Sequence, residues 1–341
     1  MIDKSIDKSN MYQVLKKFPE QLTKAIEFAK DVKNTGPINK IVIAGMGGSA
    51  LPGDILKIYL SDTTTRQASF PVELSREYSL TTTVDQNTLV FVSSFSGNTE
   101  ETIASLDEAL EKKAKIVIVT AGGKLEELSK KYNIPMVKII KESPTFQPRA
   151  ATGYFFGIFV SVLANSGIIK DRSNELIELR NFLAKINFED NAIELAQKLV
   201  DHIPIIYTTT KYESCVARII KIKFNENSKV QAFFNVFPEL NHNEMVGWTN
   251  IKGKYHFLII EDVEDDERNK KRMQIFKEIL REKNLDFTSL TMQGNTILEK
   301  IFSTLYLFDF VSYYLALAYK VDPTPVDIVE GFKQALVVCQ V

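Results

Sequence analysis

The feature that most constrains this chain is a recurring junction. A short, unbroken run of β-branched and apolar residues ends on glycine, serine or threonine and gives way to a helical pattern. Ile41-Val-Ile-Ala44 runs into Gly45-Met-Gly-Gly-Ser49, Thr88-Leu-Val-Phe-Val-Ser93 into Ser94-Phe-Ser-Gly-Asn-Thr99, and Lys115-Ile-Val-Ile-Val-Thr120 into Gly122-Gly123. Strands without polar alternation are buried on both faces, and a helix between successive strands makes them parallel, so the chain reads as α/β with helices on both sides of a mainly parallel sheet. Pro71-Val-Glu-Leu74 and Ile134-Pro-Met-Val-Lys-Ile139 are two further strand candidates, and an amphipathic helix is expected over Met11 to Asp31.

The pattern returns in Ile203-Pro-Ile-Ile-Tyr207, Lys254-Tyr-His-Phe-Leu-Ile-Ile260 and Phe287-Thr-Ser-Leu-Thr-Met292, after a polar stretch from Lys170 to Asn191. At roughly 150 residues per domain, 341 residues make two domains, expected at 1–170 and 171–341. Each half closes on a stretch with almost no charge: Ala150 to Ile169 has none, and Ile301 to Tyr319 only Asp309. Serines, threonines and tyrosines make both too polar for membrane spans, so they are expected as buried helices. Lys and Arg number 42 against 43 Asp and Glu, leaving a net charge of -1 and no basic surplus for nucleic acid or a membrane. Two cysteines, Cys215 and Cys339, form no C-x-x-C, which excludes a Cys-based zinc site and a disulfide framework. The N-terminus lacks an apolar signal core, and a cytoplasmic location is expected.

Three motifs carry chemistry. Ser94-Phe-Ser-Gly-Asn-Thr99 gathers three hydroxyls (Ser94, Ser96, Thr99) where a strand meets a helix N-terminus, with Gly97 allowing close backbone approach beside Asn98. This suits a phosphate monoester, although a simple helix cap is the plainer alternative. Gly45-Met-Gly-Gly-Ser-Ala50 places Gly47, Gly48 and Ser49 at a similar junction; with Glu73 downstream it also fits a dinucleotide site. In the second half, Glu226 and His242 are flanked by Asn225, Asn227, Asn241 and Asn243, a carboxylate and an imidazole among amides able to orient them. Arg149 stands at a helix entrance, suited to an oxyanion or to a structural ion pair. The run Glu261 to Glu267 is expected as an exposed acidic turn, with no metal-binding pattern, and Lys333 alone would be read as a surface lysine.

In this order, these motifs resemble the bifunctional phosphoglucose/phosphomannose isomerases, built from two SIS (sugar isomerase) domains of flavodoxin-like winding. Phe95 stands where the family usually has tyrosine. The resemblance implies that Ser49, Ser94, Ser96 and Thr99 hold the substrate phosphate, with Gly47, Gly48, Gly97 and Asn98 in support. It implies Arg149 over the reacting carbons, Glu226 as the base moving a proton between C1 and C2, and His242 with Lys333 in ring opening. In the family, His242 comes from the neighbouring subunit, implying a homodimer. Beside these, Thr324, near Lys333, is a candidate contributor to tolerance of both sugar epimers. The implied reaction interconverts glucose 6-phosphate and mannose 6-phosphate with fructose 6-phosphate, without cofactor or metal. The alternative is a non-catalytic SIS protein that only binds a phosphosugar, which would have no use for Glu226, His242 and Lys333 together.

Overall fold

The structure is a computed structural model that describes residues 3–61, 71–81 and 83–338. Cys339 lies outside the described residues, whereas Cys215 is buried, with its thiol pushed up by burial. The first sheet holds β1 (Lys40–Gly45), β2 (Val72–Ser75), β3 (Thr88–Ser94), β4 (Lys115–Thr120) and β5 (Met136–Lys138) in the order β2-β1-β3-β4-β5. The second holds β6 (Ile203–Thr209), β7 (Phe233–Phe237), β8 (Tyr255–Glu261) and β9 (Phe287–Thr291) in the order β7-β6-β8-β9. All neighbouring strands are parallel. The second order is the first one less its last strand, so the two halves are wound alike.

Alternation along the strands assigns the faces. Ile41 and Ile43 of β1 with Leu89 and Phe91 of β3 face a core that also takes in Ile206, Leu258 and Ile260 of the second sheet. Val42, Ala44, Val90 and Val92 face an outer core under helices Glu100–Glu111 and Gly123–Tyr132. Ile205, Tyr207, Phe257 and Ile259 face the opposite outer core, with Phe276 and Trp248. The two sheets thus share one inner layer of helices, and there the two uncharged stretches lie. Helix Thr152–Asn165 is buried from Thr152 to Leu163. Helix Ile297–Ala318 has the length and apolarity to cross a membrane, yet 89% of its apolar window is buried inside the protein. Burial all round explains the lack of a polar face.

Two sequence expectations are corrected. The opening helix is two, Met11–Lys16 and Glu20–Ala29, because Pro19 cannot continue the first and starts the second. Strand β7 was not anticipated: it is an edge strand with Phe233 half exposed, and its single Asn235 breaks the apolar run.

Candidate active site

After β1 the chain turns to the inner face, where Leu51, Ile55 and Leu56 of helix Leu51–Ser61 join the shared core; after β3 it turns outward, where Leu106 and Ala109 of helix Glu100–Glu111 pack. Adjacent strands that send their chains to opposite faces leave a crevice at their carboxyl ends, the position where open α/β sheets bind ligands. Ser94 and Thr99 hydroxyls lie 2.8 Å apart there, with the Ser96 hydroxyl 3.4 Å from Ser94. Thr99 occupies the cap position of helix Glu100–Glu111 without making a side-chain capping bond. The Ser94 and Ser96 hydroxyls accept from the Gly97 and Asn98 N–H groups at 3.1 and 3.3 Å, and the helix N-terminus faces the hydroxyl cluster with its backbone N–H groups uncapped by Thr99. Gly97 has φ +74°, and a Cβ there would stand 1.7 Å from the Gly122 carbonyl oxygen, so only glycine fits. Asn98 accepts from the Lys124 N–H at 2.9 Å and ties the loop to the next one. Ser49 is buried and accepts from the Phe95 N–H at 3.0 Å, joining the first loop to the second. Gly47, at φ +48°, is exposed at the rim of this loop.

The first loop also touches Arg149. A Cβ on Gly48 would lie 2.6 Å from the Pro148 carbonyl oxygen, so glycine lets the segment Pro148–Ala150 close over the crevice. The Arg149 side chain is 5% exposed and reaches into the second half. Its Nε donates to Asn227 Oδ1 (2.6 Å), Nη1 to Glu226 Oε2 (3.3 Å) and Gln147 Oε1 (3.3 Å), and Nη2 to the carbonyls of Pro323 (2.9 Å) and Thr324 (2.8 Å). Burial lowers the guanidinium pKa, and Glu226 and Asp309 oppose that shift. Glu226 lies in a single π-helical turn, Phe224–Ser228, that continues helix Arg218–Lys223, and its side chain is 33% exposed. Asn227 donates to Ser312 Oγ (3.0 Å), Ser228 to the Ser312 carbonyl (2.7 Å), and buried Lys223 pairs with buried Asp309 on the same helix. This buried network holds the turn from beneath and leaves the Glu226 carboxylate open above it.

The structure gathers Ser94, Ser96 and Thr99 in one cluster that Ser49 joins through the Phe95 amide, pairs Arg149 with Glu226, and sets the Arg149 backbone against Gly48, next to Ser49. It does not bring His242 or Lys333 to them within one chain. His242 ends a short 3-10 turn, is exposed, and has no hydrogen-bond partner among the described residues. Lys333 is 62% exposed and pairs with Glu330 at 2.8 Å. Helix Asp327–Val338, which carries Lys333, exposes Ile328 (88%) and Phe332 (65%) with Val329 and Leu336. Thr324 is buried and its hydroxyl has no hydrogen-bond partner among the described residues. Glu73 lies in register with Val42 in mid-strand and its carboxylate pairs with Lys40, the first residue of β1, at 2.7 Å, so it is turned away from Gly45, which disfavours the dinucleotide alternative. The acidic run is corrected as well. Asp262 is fully buried, accepts from Lys300 Nζ at 2.7 Å and bonds Tyr212, although Glu264 remains exposed. Sequence reasoning missed Lys223, Asp309, Ser312 and Lys229, whose partners lie far away in sequence or on backbone atoms. Asn227 alone gave a local signal, through its pairing with Asn225 around Glu226.

Two sheets of matching strand order, with a hydroxyl crevice in the first and beside it Arg149 of the first half paired with Glu226 of the second, define a double SIS-domain protein. Residues 37–143 match the SIS domain, and residues 188–336 match the bacterial phospho-glucose isomerase C-terminal SIS domain. The bifunctional phosphoglucose/phosphomannose isomerase of Caldicellulosiruptor bescii is 37% identical over 96% of this chain and 98% of its own, and that of Aquifex aeolicus 32% identical over 96% and 98%. The D-glucosamine-6-phosphate 4-epimerase of Sulfolobus acidocaldarius is 30% identical over 74% of this chain and 76% of its own. A crystal structure of a Thermus thermophilus protein superposes with TM-score 0.71 at 16% identity, over 95% of this chain and 89% of that one, a likeness of fold alone. The chain belongs to the bifunctional phosphoglucose/phosphomannose isomerase family.

Proposed function

We infer that this protein is an aldose–ketose isomerase that interconverts glucose 6-phosphate and mannose 6-phosphate with fructose 6-phosphate. The observation that carries this reading is the Arg149–Glu226 pair, whose arginine backbone packs on Gly48 next to Ser49, the residue that joins the first loop to the hydroxyl loop. A hydrogen α to a carbonyl is weakly acidic, so its removal needs a placed base and a cation near the oxyanion that develops. Glu226 takes the proton from one of C1 and C2 and returns it to the other. The Glu226 contact of Arg149 Nη1, at 3.3 Å, is the one a substrate oxygen replaces as charge builds on the enediolate. Ser94, Ser96 and Thr99 hold the phosphate at the uncapped helix N-terminus, with Ser49 fixing the Phe95 amide beside them. Gly47, Gly48, Gly97 and Asn98 shape the two loops. Binding energy from the unreactive phosphate keeps the reacting carbons in register with the base.

His242 and Lys333 handle ring opening, and both need a second subunit or a rearranged helix to reach the sugar. An exposed His242 and a helix that presents Ile328, Val329, Phe332 and Leu336 to solvent support a homodimer in which His242 acts across the interface. The chain divides at about residue 170, and the enzyme is assigned to the cytoplasm and to sugar-phosphate metabolism. The epimerase relative makes glucosamine 6-phosphate the first other substrate to offer.

The test is steady-state conversion of fructose 6-phosphate to each aldose by wild type and Glu226→Gln, with EDTA present. Turnover to both aldoses that collapses in the variant supports the reading. A wild type that binds fructose 6-phosphate without turning it over would restore the alternative of a non-catalytic sugar-phosphate binder.

A further inference from the structure

Lys229 follows the turn that carries Glu226 and holds a left-handed backbone, φ +60°. Its ammonium donates to three main-chain carbonyls: Glu226 at 2.6 Å, Pro323 at 3.0 Å and Asn227 at 3.4 Å. The Pro323 carbonyl also accepts from Arg149 Nη2 at 2.9 Å. Two cations from opposite halves of the chain therefore meet on one oxygen. That oxygen lies just before helix Asp327–Val338, which carries Lys333.

We propose that Lys229 is a positioning residue for proton transfer, tying the Glu226 turn to the carbonyl that Arg149 grips and so fixing base and guanidinium in one frame. The proposal deepens the isomerase reading and rests on Glu226 as the base. All three N–H donors of the ammonium are spent on the backbone, so Lys229 acts through Glu226 and Arg149 and does not itself meet the substrate. A frame of this kind affects the rate more than binding, because a displacement of about 1 Å between base and reacting carbon costs roughly a hundredfold in rate.

The clamp depends on charge. Burial, followed by the nearby Arg149, pushes Lys229 down to about 8, while Asp322, Glu226 and Asp327 act to hold it up. Above that pH the neutral amine keeps two N–H donors for three carbonyls, and the frame loosens. In wild type, kcat should fall as pH rises through about 8. An arginine at this position keeps its charge and its donors at all working pH values.

The test compares wild type, Lys229→Asn and Lys229→Arg in fructose 6-phosphate turnover across pH. Asparagine accepts the left-handed backbone and cannot reach Pro323, so it removes the clamp without straining the turn. The expected result for Lys229→Asn is an unchanged melting temperature and KM, kcat lower by roughly tenfold to a hundredfold, and no falling limb near pH 8. Lys229→Arg should recover part of kcat and move the limb to higher pH. Wild-type kcat and pH profile in Lys229→Asn would overturn the proposal and leave the isomerase reading standing. If wild type turns over no hexose phosphate, the isomerase reading fails instead, and amide hydrogen exchange decides the clamp. Faster exchange at both 224–228 and 322–326 in Lys229→Asn supports it, and unchanged exchange at either segment overturns it.

Discussion

The two sheets place equivalent crevices at the carboxyl ends of their central strands, β1 with β3 and β6 with β8, and fill them in opposite ways. In the first, glycines and hydroxyls line the opening, at a helix N-terminus that Thr99 does not cap through its side chain. In the second, Asp262 follows β8 and is buried against Lys300 and Tyr212, while Thr209 at the end of β6 donates to Asp265 at 2.7 Å. Winding creates the opening in both halves, but side chains decide its use. A pair of internal charges fills the second crevice and sets two carboxylates, Asp262 and Asp265, at its mouth. The second half instead gives the Glu226 turn, aimed at the first.

This contrast can be broken or sharpened by mutation. The largest effect is expected from Glu226→Gln, a loss of roughly a thousandfold or more in kcat, since positioned acid–base catalysis is worth about 10²–10⁴. Glutamine still accepts a bond from Arg149, so the melting temperature should hold, and a variant within tenfold of wild type would remove Glu226 as the base. Next, Asp262→Ala strands Lys300 in the interior with only the exposed Glu264 as partner and should cost roughly 3–5 kcal/mol in urea unfolding. Its kcat should survive under folding conditions; lost activity in a stably folded variant would mean that the second crevice takes part in catalysis.

The Asp262 carboxyl also carries a pH dependence. Burial raises its pKa, but Lys300 and Tyr212 outweigh that, and the group ends below the ordinary carboxylate range. Its contribution is therefore present above the unfolded value of about 4 and is lost as pH falls through the lower folded value. Acid unfolding should accordingly depend less on pH in Asp262→Ala than in wild type. A smaller effect is expected from Ser94→Ala, with KM for fructose 6-phosphate raised roughly tenfold and kcat less affected, as suits one hydrogen bond to a charged group. Calorimetry should find one fructose 6-phosphate per chain, and two would mean that the second crevice is open. The smallest effect belongs to Glu264→Gln, which removes the exposed partner of Lys300 and should change stability by less than about 1 kcal/mol.

The parts of this arrangement that the sequence made legible are local. The two loops after β1 and β3 could be read because glycine and hydroxyl residues must follow a strand within a few positions for the turn to work. The two uncharged helices could be read because burial on every face removes polar periodicity. The rest is set by contacts between distant residues. Asp262 looks like one more acid in an exposed run until Lys300 arrives from another helix. Lys223 meets Asp309 at the far end of the second half. Lys229 had no signal to separate it from the other cations of a chain with 42 lysines and arginines, because its partners are carbonyl oxygens.

The central claim is that a sugar phosphate held by the first half has its C1–C2 hydrogen moved by Glu226 of the second. The most direct test is deuterium incorporation from D2O into fructose 6-phosphate and its aldose products, followed by NMR for wild type and Glu226→Gln. The account predicts exchange at C1 and C2 with wild type, and with the variant no exchange while fructose 6-phosphate still binds. Exchange that persists at the wild-type rate in Glu226→Gln would contradict it.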